Sequence, residues 1–93
     1  MFAWDARKAA RNLVEHGVSF EEAATGLADS DGLEWEDIEH SHDESRFKWI
    51  GISSRGRILI LAYSYRRTND DKETVRIITA RRAIAKEREA YES

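Results

Sequence analysis

The 93-residue chain contains neither cysteine nor proline. Without thiols it forms no disulfide and offers no thiolate to a metal, a composition that fits a reducing cytoplasm. Its longest apolar run, Ile58 to Tyr63, is far too short to cross a bilayer as a helix. No basic-then-apolar leader follows Met1, so neither secretion nor a membrane address is expected, and we place the chain in the cytoplasm. Repeats, linkers and low-complexity tracts are missing too, which leaves one domain over residues 1–93. What remains is 41% apolar residues, nine aromatics and 35% charged residues, a globular composition in which core area is scarce.

Positive charge is rare in the first half and concentrated in the second. Residues 1–45 carry three basic and twelve acidic side chains, a charge of −9, whereas residues 46–93 carry twelve basic and six acidic, a charge of +6. The net charge of −3 hides this division. It fits a second half that faces an anion and a first half that repels it or meets a basic partner. Chance clustering on solvated faces gives the same count.

The residue pattern predicts the order β-α-α-β-β-β-β-α. Phe2-Ala3-Trp4 reads as a short strand, then Asp5 caps a helix whose apolar positions Ala6, Ala9, Ala10, Leu13 and Val14 share a face before Gly17 stops it. Ser19 and Glu22 have the spacing of a capping box for a second helix ending near Leu27, so the two form a helical hairpin. Leu33 to Glu36 alternates like an edge strand. Residues 47–53 and 57–65 form a hairpin across Ser54-Arg55-Gly56, and 57–65 is the central strand because both of its faces are apolar. Residues 66–72 turn the chain into a last strand, 73–80, and a helix from about Arg82 ends it. The expected class is α+β, a mostly antiparallel sheet packed with the N-terminal helical hairpin and the C-terminal helix.

Three groups of residues are candidates for chemistry. His40-Ser41-His42 with Asp43 and Glu44 has the ligand types of a metal site, although a polar loop has the same composition. His16 closes the first helix, where a protonated imidazole suits the negative end of the helix dipole and where a proton-transfer role stays open. The third group is the arginines: Arg46, Arg55, Arg57, Arg66, Arg67, Arg76, Arg81 and Arg82. Antiparallel pairing of the last two strands should bring Arg66 near the start of the last one and Arg57 near its finish, beside Arg81. Arg76 should share a face with Ile78. Guanidiniums aimed into one concavity repel unless an anion lies between them, and the following helix adds its free N–H groups. Arginines that merely protect the edges of a sheet fit the same positions.

The segments 4–23, 46–66 and 75–92 resemble the BrnT toxin family, small ribonuclease toxins with a RelE-like fold. The likeness rests on Asn12 with His16-Gly17-Val18-Ser19-Phe20, on Gly51, on Gly56-Arg57, on Ile78-Thr79-Ala80-Arg81 and on Glu87-Arg88. It implies a toxin that cuts RNA and stops translation, neutralised by a BrnA-type antitoxin, dimeric within that complex, and touching operator DNA only through the antitoxin. No cofactor is implied. The chain departs from the family at Glu15, commonly basic there, and in lacking a proline around residues 29–32.

Cutting RNA without a metal needs an acceptor for the 2′-OH proton, positive charge on the phosphorane and a donor for the leaving 5′-oxygen. Arg57, Arg66 and Arg81 are the expected phosphate clamp, and Glu73 or His16 the proton acceptor, with orientation of Arg66 as the alternative role of Glu73. A non-catalytic module that binds nucleic acid or protein through the basic half, and a metal-dependent hydrolase using His40 and His42, are the alternatives. Leu33, Trp35 and Ile38, apolar residues in the most acidic stretch, suggest an interface.

Overall fold

The computed structural model of the chain describes residues 1–41, 44–67 and 73–93, with the side chains of Arg66 and Arg67 outside that description. Its elements are β1 (Phe2–Ala3), α1 (Ala6–His16), α2 (Phe20–Gly26), β2 (Leu33–Glu36), a 3-10 turn (Ile38–His40), β3 (Arg46–Ile52), β4 (Ile58–Arg67), β5 (Glu73–Arg82) and α3 (Ala85–Glu92). The strands form one mixed sheet in the order β1-β5-β4-β3-β2, with β1 parallel to β5 and every other neighbour antiparallel. The α+β class and the expected element order hold, and β4 is central. Among the described residues, no helix is long and apolar enough to cross a membrane.

The two faces of β4 are buried on two sides of the sheet. Leu59, Leu61 and Tyr63 join Val18, Phe20 and Ala23 of the helical hairpin and Ile77 and Ala80 of β5 in the main core. Ile60, with Ile50 and Ala83, forms a smaller cluster on the opposite side, against which Ile58 and Tyr91 of α3 pack. We call these the hairpin face and the α3 face.

Asp5 caps α1 by accepting from the N–H groups of Arg7 and Lys8 at 2.9 and 3.0 Å, and Gly17 ends it at φ +69°, a backbone region in which other residues are strained. The side that α1 buries is not the predicted one. Leu13 is 51% and Val14 87% exposed, while the polar Asn12 is buried. Asn12 sets this rotation through its hydrogen bonds: its amide nitrogen donates to the carbonyls of Val18 and Ala80 at 2.9 and 2.8 Å, and its oxygen accepts from the N–H of Ala80 at 3.1 Å. One side chain thereby satisfies both backbone groups of a residue at the open edge of β5, groups that are costly to bury unpaired.

The last strand is longer than predicted. Ala80, Arg81 and Arg82 pair with Leu61, Ile60 and Leu59, so the ladder continues through both arginines, and α3 starts only at Ala85. The register also shifts between Ala62 and Tyr63: Ala62 faces Thr79 while Tyr63 faces Ile77, which leaves Ile78 as a bulge. Arg76 therefore shares its face with Thr79 and Arg81 rather than with Ile78.

Glu22 departs from the predicted capping box in one half. Ser19 Oγ accepts from the Glu22 N–H at 3.0 Å, but the Glu22 carboxylate turns away from Ser19. Its side chain is only 4% exposed and accepts from Ser53 Oγ at 2.7 Å, from Arg57 Nε at 2.9 Å and from Arg57 Nη2. Arg57 also donates to the Gly17 carbonyl at 3.1 Å. This pair fastens α2 to the β3–β4 turn. On the same side, Gly51 lets β3 meet the end of α2, because a Cβ there would come within 2.6 Å of the Gly26 carbonyl oxygen.

Removing Arg57 leaves a buried carboxylate with only the exposed Arg55 at 3.8 Å, so Arg57→Ala should cost about 3 kcal/mol of stability, read as a lower urea midpoint. Replacing both partners, Glu22→Gln with Arg57→Met, should recover much of that loss. The Arg57 hydrogen bonds hold the Glu22 carboxyl below its ordinary range, against the opposing effect of burial. The stabilisation is therefore present above the usual glutamate pKa and disappears as pH falls through the depressed folded value. An unchanged midpoint for Arg57→Ala would contradict this account.

Candidate nucleic-acid interface

Side chains on adjacent strands at paired positions point to the same face, so the register sorts the cations. On the α3 face Arg46 lies across from Ser64, and Ser64 from Arg76. In the next row Lys48 lies across from Ala62 and Ala62 from Thr79, with Trp35 of β2 beside Lys48. One row further stand Ile50, Ile60 and Arg81. Four half-buried cations, Arg46, Lys48, Arg76 and Arg81, thus surround a floor of the short residues Ala62, Ser64 and Thr79.

These cations are not equally available. Arg81 forms a two-pronged pair with Glu87, Nη1 to Oε1 at 2.7 Å and Nη2 to Oε2 at 2.8 Å. The same Glu87 carboxylate accepts from the Ile84 N–H at 2.9 Å, capping the start of α3. The Arg81 hydrogen bonds, helped by the Ile84 N–H and by the charge of Lys48, hold the Glu87 carboxyl down at about 2 against the effect of burial. Glu87 thus occupies the helix N-terminus that was expected to stand open for an anion. Among the described residues Arg46, Lys48 and Arg76 have no carboxylate at ion-pair distance. Ser64 is fully buried, and its Oγ, like the buried Arg46 Nε, has no hydrogen-bond partner among the described residues.

Thr79 links this face to a second feature. With Ile78 it lines a cavity of about 330 Å³ between β5 and α1, whose other walls are Lys8, Arg11, Asn12, Glu15 and His16. The bulge at Ile78 and the tether of Asn12 to Ala80 place α1 beside this part of the strand. Glu15 Oε2 lies 4.0 Å from His16 Nε2, so the acidic departure from the family pattern stands directly against the only histidine of the cavity.

The expected clamp does not assemble as predicted. Arg57 has the parity of Leu59 and projects to the hairpin face, where Glu22 holds it; Arg81 projects to the α3 face. The sheet separates them. Glu73 lies across from Arg67, with Arg66 across from Thr74, and stands eight residues from Arg81 along β5, about 26 Å at the usual strand rise. Glu73 and Arg81 therefore belong to opposite ends of the sheet, while the Arg66 side chain lies outside the described residues. His16 and Arg81 flank the Thr79 region from different sides. His40 Nδ1 contacts Asp37 Oδ2 at 2.9 Å and His42 lies outside the described residues; among the described residues no three potential ligands gather for a metal.

Lys48 escaped the sequence reading, and so did the grouping of Arg46 with Arg76. The alternation Arg46, Lys48, Ile50 was a legible signal for one face of a strand. The bulge that places Arg76, Thr79 and Arg81 together had no marker, since Ile78 is neither glycine nor a turn residue.

A crystal structure of the Brucella abortus ribonuclease toxin, BrnT, superposes with a TM-score of 0.62 at 18% identity, covering 90% of this chain and 97% of that one. Among curated protein sequences none matches. Residues 4–87 match the family described as the ribonuclease toxin, BrnT, of type II toxin-antitoxin systems. That match takes in α1, the sheet from β2 to β5 and the Arg81–Glu87 pair, so the chain belongs to the BrnT family of ribonuclease toxins.

Proposed function

We propose that this chain is an endoribonuclease toxin with a RelE-like fold, which binds RNA on the α3 face and cuts it at the β5 edge. The observation that carries the reading is the row Arg46–Ser64–Arg76. Two half-buried guanidiniums flank Ser64, whose hydroxyl has no partner among the described residues, and a phosphate seated between the guanidiniums would accept charge-assisted hydrogen bonds from both. Lys48 extends the positive surface and Arg81 stands at its far end. For the proton, His16 replaces Glu73, whose end of β5 is remote from Arg81. As O2′ attacks phosphorus, His16 accepts the 2′-OH proton; the O2′–P bond forms, the P–O5′ bond breaks, and the leaving O5′ takes a proton from water. Arg57 passes from the clamp to the scaffold.

In the cell such an activity halts translation and calls for a BrnA-type antitoxin. Leu33 and Trp35 supply a surface for that partner or for a toxin dimer: they stand on the α3 face of edge strand β2, 50% and 45% exposed, with Ile38 78% exposed just beyond. Trp35→Ala is expected to weaken assembly measured by light scattering, and unchanged assembly would remove this surface from the proposal.

RNA binding should weaken steeply with salt despite the chain's net charge of −3. For single strands log K changes with log salt by about −0.7 per neutralised phosphate, so Arg46→Ala with Arg76→Ala should reduce the slope by about 1.4. Stability should change little, because neither side chain holds an ion pair among the described residues. Salt-independent binding, or an unaltered slope in the double variant, would move the interface elsewhere.

Purified chain incubated with RNA, with and without a chelator, tests the activity itself: intact RNA indicates a binding module, and inhibition by chelation indicates a metal enzyme. Arg81→Ala should abolish cleavage and growth arrest while costing no more than about 1 kcal/mol, because its pair with Glu87 is substantially solvated. Arg82→Ala, on the other face beside Leu59, should be milder. Full toxicity in Arg81→Ala would exclude this arginine from the site.

A further inference from the structure

On the hairpin face a second cavity of about 160 Å³ is lined by residues of all five strands and by Leu27. Its walls include the rings of Phe2, Trp49, Tyr63 and Tyr65, and its one charged residue is Glu34. The phenols of Tyr63 and Tyr65 both donate to Glu34 Oε2, the latter at 3.2 Å. The second carboxylate oxygen, Oε1, accepts no hydrogen bond among the described residues. The rings of Tyr63 and Tyr65 meet edge to face, at 83° with centroids 5.5 Å apart.

We infer that this cavity is a receptor for an arginine side chain presented by a partner protein. Among the described residues the donors to this carboxylate are two neutral phenols, which bring no positive charge to it, and aromatic faces attract a cation through their quadrupoles. A planar guanidinium satisfies both demands, since it stacks on a ring and donates two parallel hydrogen bonds, one of them to the free oxygen. Among the described residues no lysine or arginine lines the cavity. Glu36 shares the hairpin face with Glu34 on the same edge strand, and residues 1–45 as a whole carry −9, which favours a basic protein segment. A nucleobase also stacks on aromatic rings, but its phosphates meet this acidic edge. The basic surface proposed for RNA lies on the other side of the sheet.

The test is titration of the full chain with N-acetyl-arginine amide, followed by NMR of the Trp49 indole N–H and the Glu34 and Tyr65 amides. N-acetyl-norleucine amide and guanosine monophosphate serve as parallel probes. Saturable shifts with the arginine probe and none with the norleucine probe are expected. Glu34→Gln, which still accepts from both phenols and so preserves the fold, should weaken the arginine probe about tenfold, the loss of one charge-assisted contact. Phe2→Leu, which keeps an apolar wall but removes a ring, should weaken it about threefold. RNA cleavage should be unchanged in both variants. The proposal is overturned if the arginine probe gives no saturable shift, if Glu34→Gln binds it as tightly as the parent chain, or if guanosine monophosphate binds the same residues more tightly.

Discussion

A carboxylate with 4% of its side-chain surface exposed has to be answered by a cation, and in this chain Glu22 takes Arg57 for that purpose. Much of the architecture depends on the arrangement. The pair joins α2 to the turn that sets the start of β4, and β4 supplies inner residues to both cores. It also fixes the electrostatic character of the hairpin face. With Arg57 neutralised there, and Glu34 and Glu36 along its β2 edge, that side of the sheet offers little to a phosphate. The surface proposed for RNA lies on the other side.

Strand parity then divides the remaining work. A two-residue period sends neighbouring side chains to opposite faces, so a cation's address is decided by its register rather than by its place in the sequence. Arg46 and Lys48 reach the α3 face by simple alternation. Arg76 and Arg81 would fall on different faces of a regular strand, five residues apart; the bulge at Ile78 puts them on one. The extra residue also turns Ile78 and Thr79 toward the His16 cavity, and Asn12 holds α1 against the next residue, Ala80. One irregularity therefore joins a basic sheet face to a histidine on a helix.

Much of this was legible in the sequence where local chemistry decides. Asp5, Gly17 and Ser19 marked the helix ends, Gly56 the hairpin, and the doubly apolar run of β4 the centre of the sheet. Where tertiary partners decide, the sequence was silent or misleading. Leu13 and Val14 suggested the buried stripe of α1, yet the hydrogen-bonding capacity of Asn12 fixed its rotation. Glu22 had the spacing of a capping box, yet Arg57, 35 residues away, claimed its carboxylate. Arg81 and Arg82 marked a strand-to-helix corner that pairing with β4 moved onward to Ile84. The family resemblance pointed to the right protein class, but strand parity had to be seen before Arg57 and Arg81 could be separated.

The parallel pair at the sheet's edge bears on the order of events in the cell. Phe2 and Ala3 pair with Val75 and Arg76, which are made much later; the Val75 N–H reaches back to the Met1 carbonyl at 2.8 Å. The main core has the same long reach, since Val18 and Phe20 are buried against Ile77 and Ala80. A nascent chain on the ribosome therefore holds its helical hairpin over an unfinished sheet until β5 has emerged from the exit tunnel. The α3 face, which needs Arg46, Ser64 and Arg76 on three paired strands, cannot exist before then. A sheet built this way closes late, because its first strand and its helical hairpin both wait for β5.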